Sequence, residues 1–281
     1  MKHAASLLFL LCAASPSLAQ QPDIINARVT TRPAQPDVAR AIAEVMKAQV
    51  DPAWIGYAVP ALNQDSRGHG DGWSERCRLE QQRVDPAADS ERRGPIRLEP
   101  APNVMVLVRV QSGEIRRVRP VSADCQVDAG GLAFYWLGDV NGPQSVAFLR
   151  TLVNDNAARE QSEGALAAIA MHRDPAAAGT ILEIAKSGTP RLRQRALFWI
   201  ARRAEAQAAG IITRAIDNDP DAGVKKQAVF ALSQLPPSEG VPALIKLARS
   251  HADPAVRKQA MFWLGQSKDP RALTFFEDVL R

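Results

Sequence analysis

No catalytic signature runs through this sequence of 281 residues. A nucleophile–base motif, a phosphate-binding loop, an HExxH pair and a dinucleotide fingerprint are all missing, which argues against the enzyme classes that depend on them. Histidine is scarce at four residues. His3 lies in the leader, and His69, His172 and His251 are scattered through the rest, so no cofactor or metal centre is expected. Beyond the first nineteen residues there is no apolar run long enough to span a bilayer. Cysteine is limited to Cys12, Cys77 and Cys125, and neither of the later two has a second ligand at zinc-finger spacing.

What is present starts with a leader. Lys2 and His3 precede an apolar run, Leu7 to Leu11, and Ser17-Leu18-Ala19 supplies a small-x-small cleavage site. Residues 1–19 therefore read as a secretory signal peptide cleaved after Ala19, which places the mature chain in the periplasm or outside the cell. Leu11 rather than a small residue precedes Cys12, so lipidation is not expected. Export leaves Cys77 and Cys125, most simply one disulfide, with two buried free thiols as the alternative. The net charge of +5 suits an anionic envelope component, either polymer or lipid, but is equally a solubility feature. Export also disfavours nucleic acid as the partner.

Residues 20–36 are polar and carry Pro22, Pro33 and Pro36, the pattern of a disordered leader. In 37–62, Asp37 caps a helix running to about Val50, with Val38, Ile42, Val45 and Met46 on one face. Trp54, Ile55, Tyr57 and Val59 follow as a loop that packs its aromatic residues on the core. A small β-rich domain is expected over 63–138. It opens on a glycine-rich loop in which Asp65, His69 and Asp71 are better read as linker than as metal ligands, and a second linker covers 85–95. Strand-like runs at 77–80, 103–110, 115–121 and 125–128 read as an antiparallel sheet, with Gln111-Ser112-Gly113-Glu114 as a hairpin turn. A pairing of Cys77 with Cys125 would staple it. Arg109, Arg116, Arg117 and Arg119 are explained more simply as edge protection than as a recognition face.

Residues 139–281 are repetitive. The stretch 253–265 lands on 221–232 when moved back by thirty-two positions, and then on 190–201. Aligned on Ala165, Ala196, Ala228 and Ala260, the residues four before and four after share a helix face, marking a buried stripe. A second helix supplies the columns Ala178, Ala209, Val241, Leu273; Ile181, Ile212, Leu244, Phe276; and Ile184, Ala215, Leu247, Val279. Each unit is a helical hairpin that buries its stripes only by stacking. Residues 133–138 also match the first-helix pattern, and 143–154 match the second. That makes a half-repeat plus about four repeats, although Gly130-Gly131 favours strand over helix for 131–138.

This pattern resembles HEAT-type repeats of the short bacterial kind also found in phycobilisome-lyase-like proteins. The resemblance implies a mainly α fold, an α-α superhelix preceded by the small disulfide-tied β domain. Asp253 and Arg257 stand where such repeats carry a ladder of acid and arginine, but Lys225 and Thr189 break it in other copies. Some HEAT-type relatives are chromophore lyases, yet no cofactor motif carries over. The expected function is an exported scaffold that binds another protein. Arg191, Arg195, Arg202, Arg203, Trp199 and Trp263 are the candidate contacts, set against solvated arginines and core tryptophans. An accessory enzyme with a site between sheet and solenoid, around Trp54, Tyr57 or His69, is the alternative.

Overall fold

The computed structural model describes residues 21–33, 37–62, 76–80, 102–154, 156–203 and 207–280. The glycine-rich loop with His69, and the linker 85–95, lie outside them. The amino-terminal half holds β1 (Ile24–Ile25), β2 (Arg28–Thr31), α1 (Val38–Ala48), β3 (Ala53–Pro60), β4 (Arg76–Arg78), β5 (Asn103–Gln111), β6 (Glu114–Ser122), β7 (Gln126–Asp128) and β8 (Ala133–Asp139). A five-stranded sheet has the order β2-β8-β3-β5-β6, and a three-stranded sheet the order β1-β7-β4.

The middle strands of the larger sheet are buried on both faces. Ile55, Tyr57, Val59, Val104, Val106 and Val108 join the core shared with the helices, while Trp54, Met105, Leu107, Phe134 and Trp136 pack with Val127 under the smaller sheet. A doubly covered strand loses its polar alternation and reads as a plain apolar run. That corrects the reading of 53–60, which is a central strand and not a loop. Gly56 is required there, because a Cβ would approach the Phe134 ring to 2.8 Å.

The leader needs a correction too. Residues 24–25 and 28–31 are strands, paired in parallel with β7 (Ile24 with Val127) and with β8 (Val29 with Phe134). Strands of two and four residues have no measurable period of their own; distant partners define them. The larger sheet is antiparallel across β3-β5-β6, with β8 adding in parallel to β3. The expected hairpin turn is present, with Ser112 and Gly113 both at positive φ, 52° and 73°. Cys77 and Cys125 are disulfide-bonded, their Cα atoms 6.0 Å apart, tying β4 to the residue before β7. In the chain-entropy account a closed loop of this length contributes roughly 3–5 kcal/mol.

The helices follow as α2 (Gly142–Leu152), α3 (Arg159–Met171), α4 (Pro175–Ser187), α5 (Pro190–Arg202), α6 (Ala208–Asn218), α7 (Ala222–Ser233), α8 (Pro237–Ser250), α9 (Pro254–Gln266) and α10 (Pro270–Leu280). Hairpins α3/α4, α5/α6, α7/α8 and α9/α10 stack into a solenoid, and the aligned alanines Ala165, Ala196, Ala228 and Ala260 are fully buried. Aspartates with proline at the first helical position start α4 and α9, where Asp174 and Asp253 accept from Ala176 N and Ala255 N. Residues 133–138 are strand, as Gly130 and Gly131 indicate; both have positive φ, and they turn the chain into β8. Thus α2 is a lone second helix whose missing partner is replaced by the sheet. The edge strand β6 lies on α3 so closely that a Cβ at Gly164 would overlap the Val118 carbonyl.

Candidate functional site

The junction of sheet and solenoid, the place an accessory-enzyme site would occupy, contains a buried polar chain. Tyr57 Oη lies 2.8 Å from Ser145 Oγ, Ser145 Oγ 2.8 Å from His172 Nε2, and His172 Nδ1 2.7 Å from the Ala168 carbonyl. Burial lowers the His172 pKa, with the Ala168 hydrogen bond and Asp174 acting the other way. The ring is therefore neutral. The carbonyl can only accept, so Nδ1 carries the proton; Nε2 accepts from Ser145, and Ser145 accepts from Tyr57. Burial also pushes the Tyr57 phenol well above its ordinary range. The Ser–His contact has the spacing of a nucleophile and its base, but all three residues are fully buried and every polar atom is used. It is a pin that joins β3, α2 and the end of α3. Trp54 points to the opposite face of the sheet, where Nε1 donates to Glu80 at 3.0 Å.

The hairpin arginines are occupied as well. Arg109 donates to Glu80 at 2.6 Å, and Arg117 to Glu160 on α3 at 2.7 Å and to the Leu79 carbonyl. Arg119 donates to the Arg78 carbonyl, and Arg116 pairs with Glu114. Three of these side chains clamp the short segment around Cys77, so they organise the domain more than they protect an edge.

The solenoid candidates separate. Arg203 is buried and donates to the Ala170 and His172 carbonyls at 2.6 and 2.9 Å, capping the end of α3. This removes it from any contact surface: an arginine at the end of one repeat satisfies the orphan carbonyls of the repeat before. Arg191 and Arg195 both reach Glu163, at 3.7 and 3.0 Å. Arg202 is exposed. Trp199 and Trp263 are half-buried and packed on the shared core. Their neighbours face outward: Phe198 stacks on Phe230 at 6.2 Å with rings 3° from parallel, and Phe230 meets Trp263 at 4.8 Å. Phe262 is exposed. Lys226 and Lys258 are exposed on the same helices, and sequence reasoning did not single them out. Their signal was the repeat itself, since both stand two residues before the buried alanine.

A further column explains itself only in three dimensions. Arg193 pairs with Asp219 through two hydrogen bonds of 2.8 Å and donates to the Gly188 carbonyl at 2.7 Å. Burial alone would raise the Asp219 carboxyl, but Arg193 and the Asp221 N–H hold it below its usual range. Lys225 reaches the Asp217 carbonyl, and Arg257 the His251 carbonyl. The basic residue of this column in α5, α7 and α9 thus caps the second helix before it. Asp253 caps α9 rather than pairing with Arg257.

Among the described residues no cluster of three His, Cys, Asp or Glu side chains could hold a metal ion, and no helix is long and apolar enough to cross a membrane. Residues 208–281 match the family model described as HEAT repeats, in keeping with the stacked helical hairpins of that region. No curated protein sequence matches the chain. Among solved structures, human deoxyhypusine hydroxylase with glycerol bound aligns at 18% identity and a TM-score of 0.34, over 47% of this chain and 43% of its own. The chain spans less than half of that protein, a likeness too distant to bear on activity.

Proposed function

We propose that this chain is an exported, non-catalytic scaffold that holds another protein against the outer face of its first-helix layer. The observation that carries the reading is the half-exposed stack of Phe198 on Phe230, which continues through Trp263 to Phe262 and has Lys226, Lys258 and Arg202 exposed on the same helices. Stacked repeats present extended surfaces of this kind for partners. Aromatic side chains provide anchoring area, and cations beside them favour an acidic partner and speed encounter. The leader pattern of residues 1–19 and the Cys77–Cys125 disulfide support a periplasmic or extracellular location.

The test is capture from the source envelope with the full mature chain as bait, against a control solenoid. Enrichment of a defined protein is expected, and its loss in the double variant Phe230→Ser, Lys226→Glu with an unchanged circular dichroism spectrum. No enrichment over the control would end the scaffold reading. Retention on heparin or anionic vesicles that the double variant leaves intact would favour an anionic envelope component instead.

A further inference from the structure

The first helices α5, α7 and α9 contain no acidic residue, whereas the second helices α4, α6, α8 and α10 each hold at least one. On each of the three first helices, positions four and eight apart form one outward stripe. The stripes read Gln194-Phe198-Arg202, Lys226-Phe230-Gln234 and Lys258-Phe262-Gln266, and none of these side chains is buried. Side by side they make a central aromatic row, joined by the Phe198–Phe230 stack, with cations and glutamine amides on both sides. Carboxylates that adjoin this face are engaged. Asp221 and Asp253 accept from backbone N–H groups as the caps of α7 and α9. Glu163 on α3 is held by Arg159, Arg191 and Arg195, at 2.8, 3.7 and 3.0 Å.

We propose that this face recognises an extended segment of its partner in the polyproline II conformation, with a carboxylate at every third residue and apolar side chains between. Resting on the scaffold role proposed above, this adds the chemistry by which the partner is chosen. Charge selects the sign: stripes that carry Lys226, Lys258 and Arg202 and no carboxylate are complementary to acidic groups and repel a basic segment. The aromatic row selects the apolar component, because a polymer bearing charge alone would leave the phenylalanine rings unused. Spacing selects the conformation. Lys226 and Lys258 hold the same place on neighbouring first helices, and packed helices lie about 8–10 Å apart. A polyproline II chain advances about 9 Å in each turn of three residues, so every third side chain returns to one side. A β-strand covers a similar distance in three residues, but its side chains alternate and the third points away.

The test titrates the full mature chain into a fluorescent peptide of repeated Asp-Leu-Pro and reads anisotropy at low salt, where exposed ion pairs are least screened. The control peptide has the same composition with its aspartates grouped at one end. Binding of the repeat peptide is expected. It should weaken by about tenfold or more with the control peptide, and likewise in the double variant Lys226→Glu, Lys258→Glu. Both lysines are exposed, so that variant keeps its circular dichroism spectrum and melting temperature. It should instead bind a peptide of repeated Lys-Leu-Pro, which the unaltered chain rejects. Equal affinity for the two aspartate peptides overturns the proposal, as does binding that survives the charge reversal. Heparin or anionic vesicles bound more tightly than the repeat peptide, with the same loss in the variant, assign the face to a polyanion and overturn it too. If no peptide binds while envelope capture still enriches a protein that the Phe230→Ser, Lys226→Glu variant loses, the acidic segment is rejected and the scaffold role stands. If capture fails as well, both are rejected.

Discussion

At its amino end the solenoid meets an edge strand, β6, pressed onto α3 with no room for a methyl group at Gly164, whereas at its carboxyl end α10 turns Leu273 and Val279 to solvent. Both ends are built from the same repeat. The difference is that at the amino end the sheet stands where a first helix would pack. Where the pattern of the half-repeat calls for a first helix, the chain makes β8, and the sheet that includes β8 covers the first full repeat. This capped end is also the most polar part of the core, because the Tyr57–Ser145–His172 chain and Arg203 lie there. An interface between unlike elements leaves backbone carbonyls and helix ends facing one another, and buried polar groups must be paired. Between repeats the buried contacts are apolar columns, with arginine and lysine side chains capping the helix ends at the rim, and α10 leaves Leu273 and Val279 exposed.

The contrast can be tested from its strongest consequence downward. Gly164→Ala gains about 1 kcal/mol of helix propensity but drives a Cβ into the Val118 carbonyl, and a net loss of upwards of about 3 kcal/mol is expected in urea unfolding. A neutral result would mean that the sheet is not seated on α3. Next comes Ser145→Ala, which leaves both the Tyr57 hydroxyl and His172 Nε2 without their bonds, at a cost of roughly 2–4 kcal/mol.

A smaller effect follows from pH. The His172 pKa is lowered in the folded protein, so below the unfolded value near 6.5 the unfolded chain binds the extra proton. Stability conferred by the neutral ring is complete above that value and falls as the solution is acidified, by up to about 1.4 kcal/mol per pH unit until the folded pKa is reached. His172→Gln should flatten this slope in a series of denaturant curves, and an unchanged slope would place the titration elsewhere. The smallest expectation is on α10. Leu273→Ser should shift stability by no more than about 0.5 kcal/mol, because Leu273 is exposed; a loss of several times that would mean the residue is covered after all.

Parts of this were legible beforehand. Helix faces recur at fixed spacing, so the buried alanine column, the hairpin units and the turn prolines could be read from the repeat. The cysteine pair could be read from the signal-like pattern of residues 1–19 and from parity. Other parts had no local signal. β1, β2 and β3 are strands because of partners far away in the chain, and β3 hides its strand character by being buried on both sides. Phe198-Trp199 and Phe262-Trp263 look equivalent as adjacent aromatics; only the packing turns tryptophan inward and phenylalanine out. Arg203 reads like its exposed neighbour Arg202 until its contacts with the end of α3 are seen.

The amino-acid order by itself determined that the chain stacks helical hairpins, since period and composition are properties of neighbours along the chain. Tertiary structure alone decided which end is capped, which arginines are consumed as caps, and which aromatic face meets solvent. Those outcomes depend on groups tens to more than a hundred residues apart, such as Tyr57 with Ser145 and Arg117 with Glu160. A pairing of that kind leaves no periodic trace in the residues that make it.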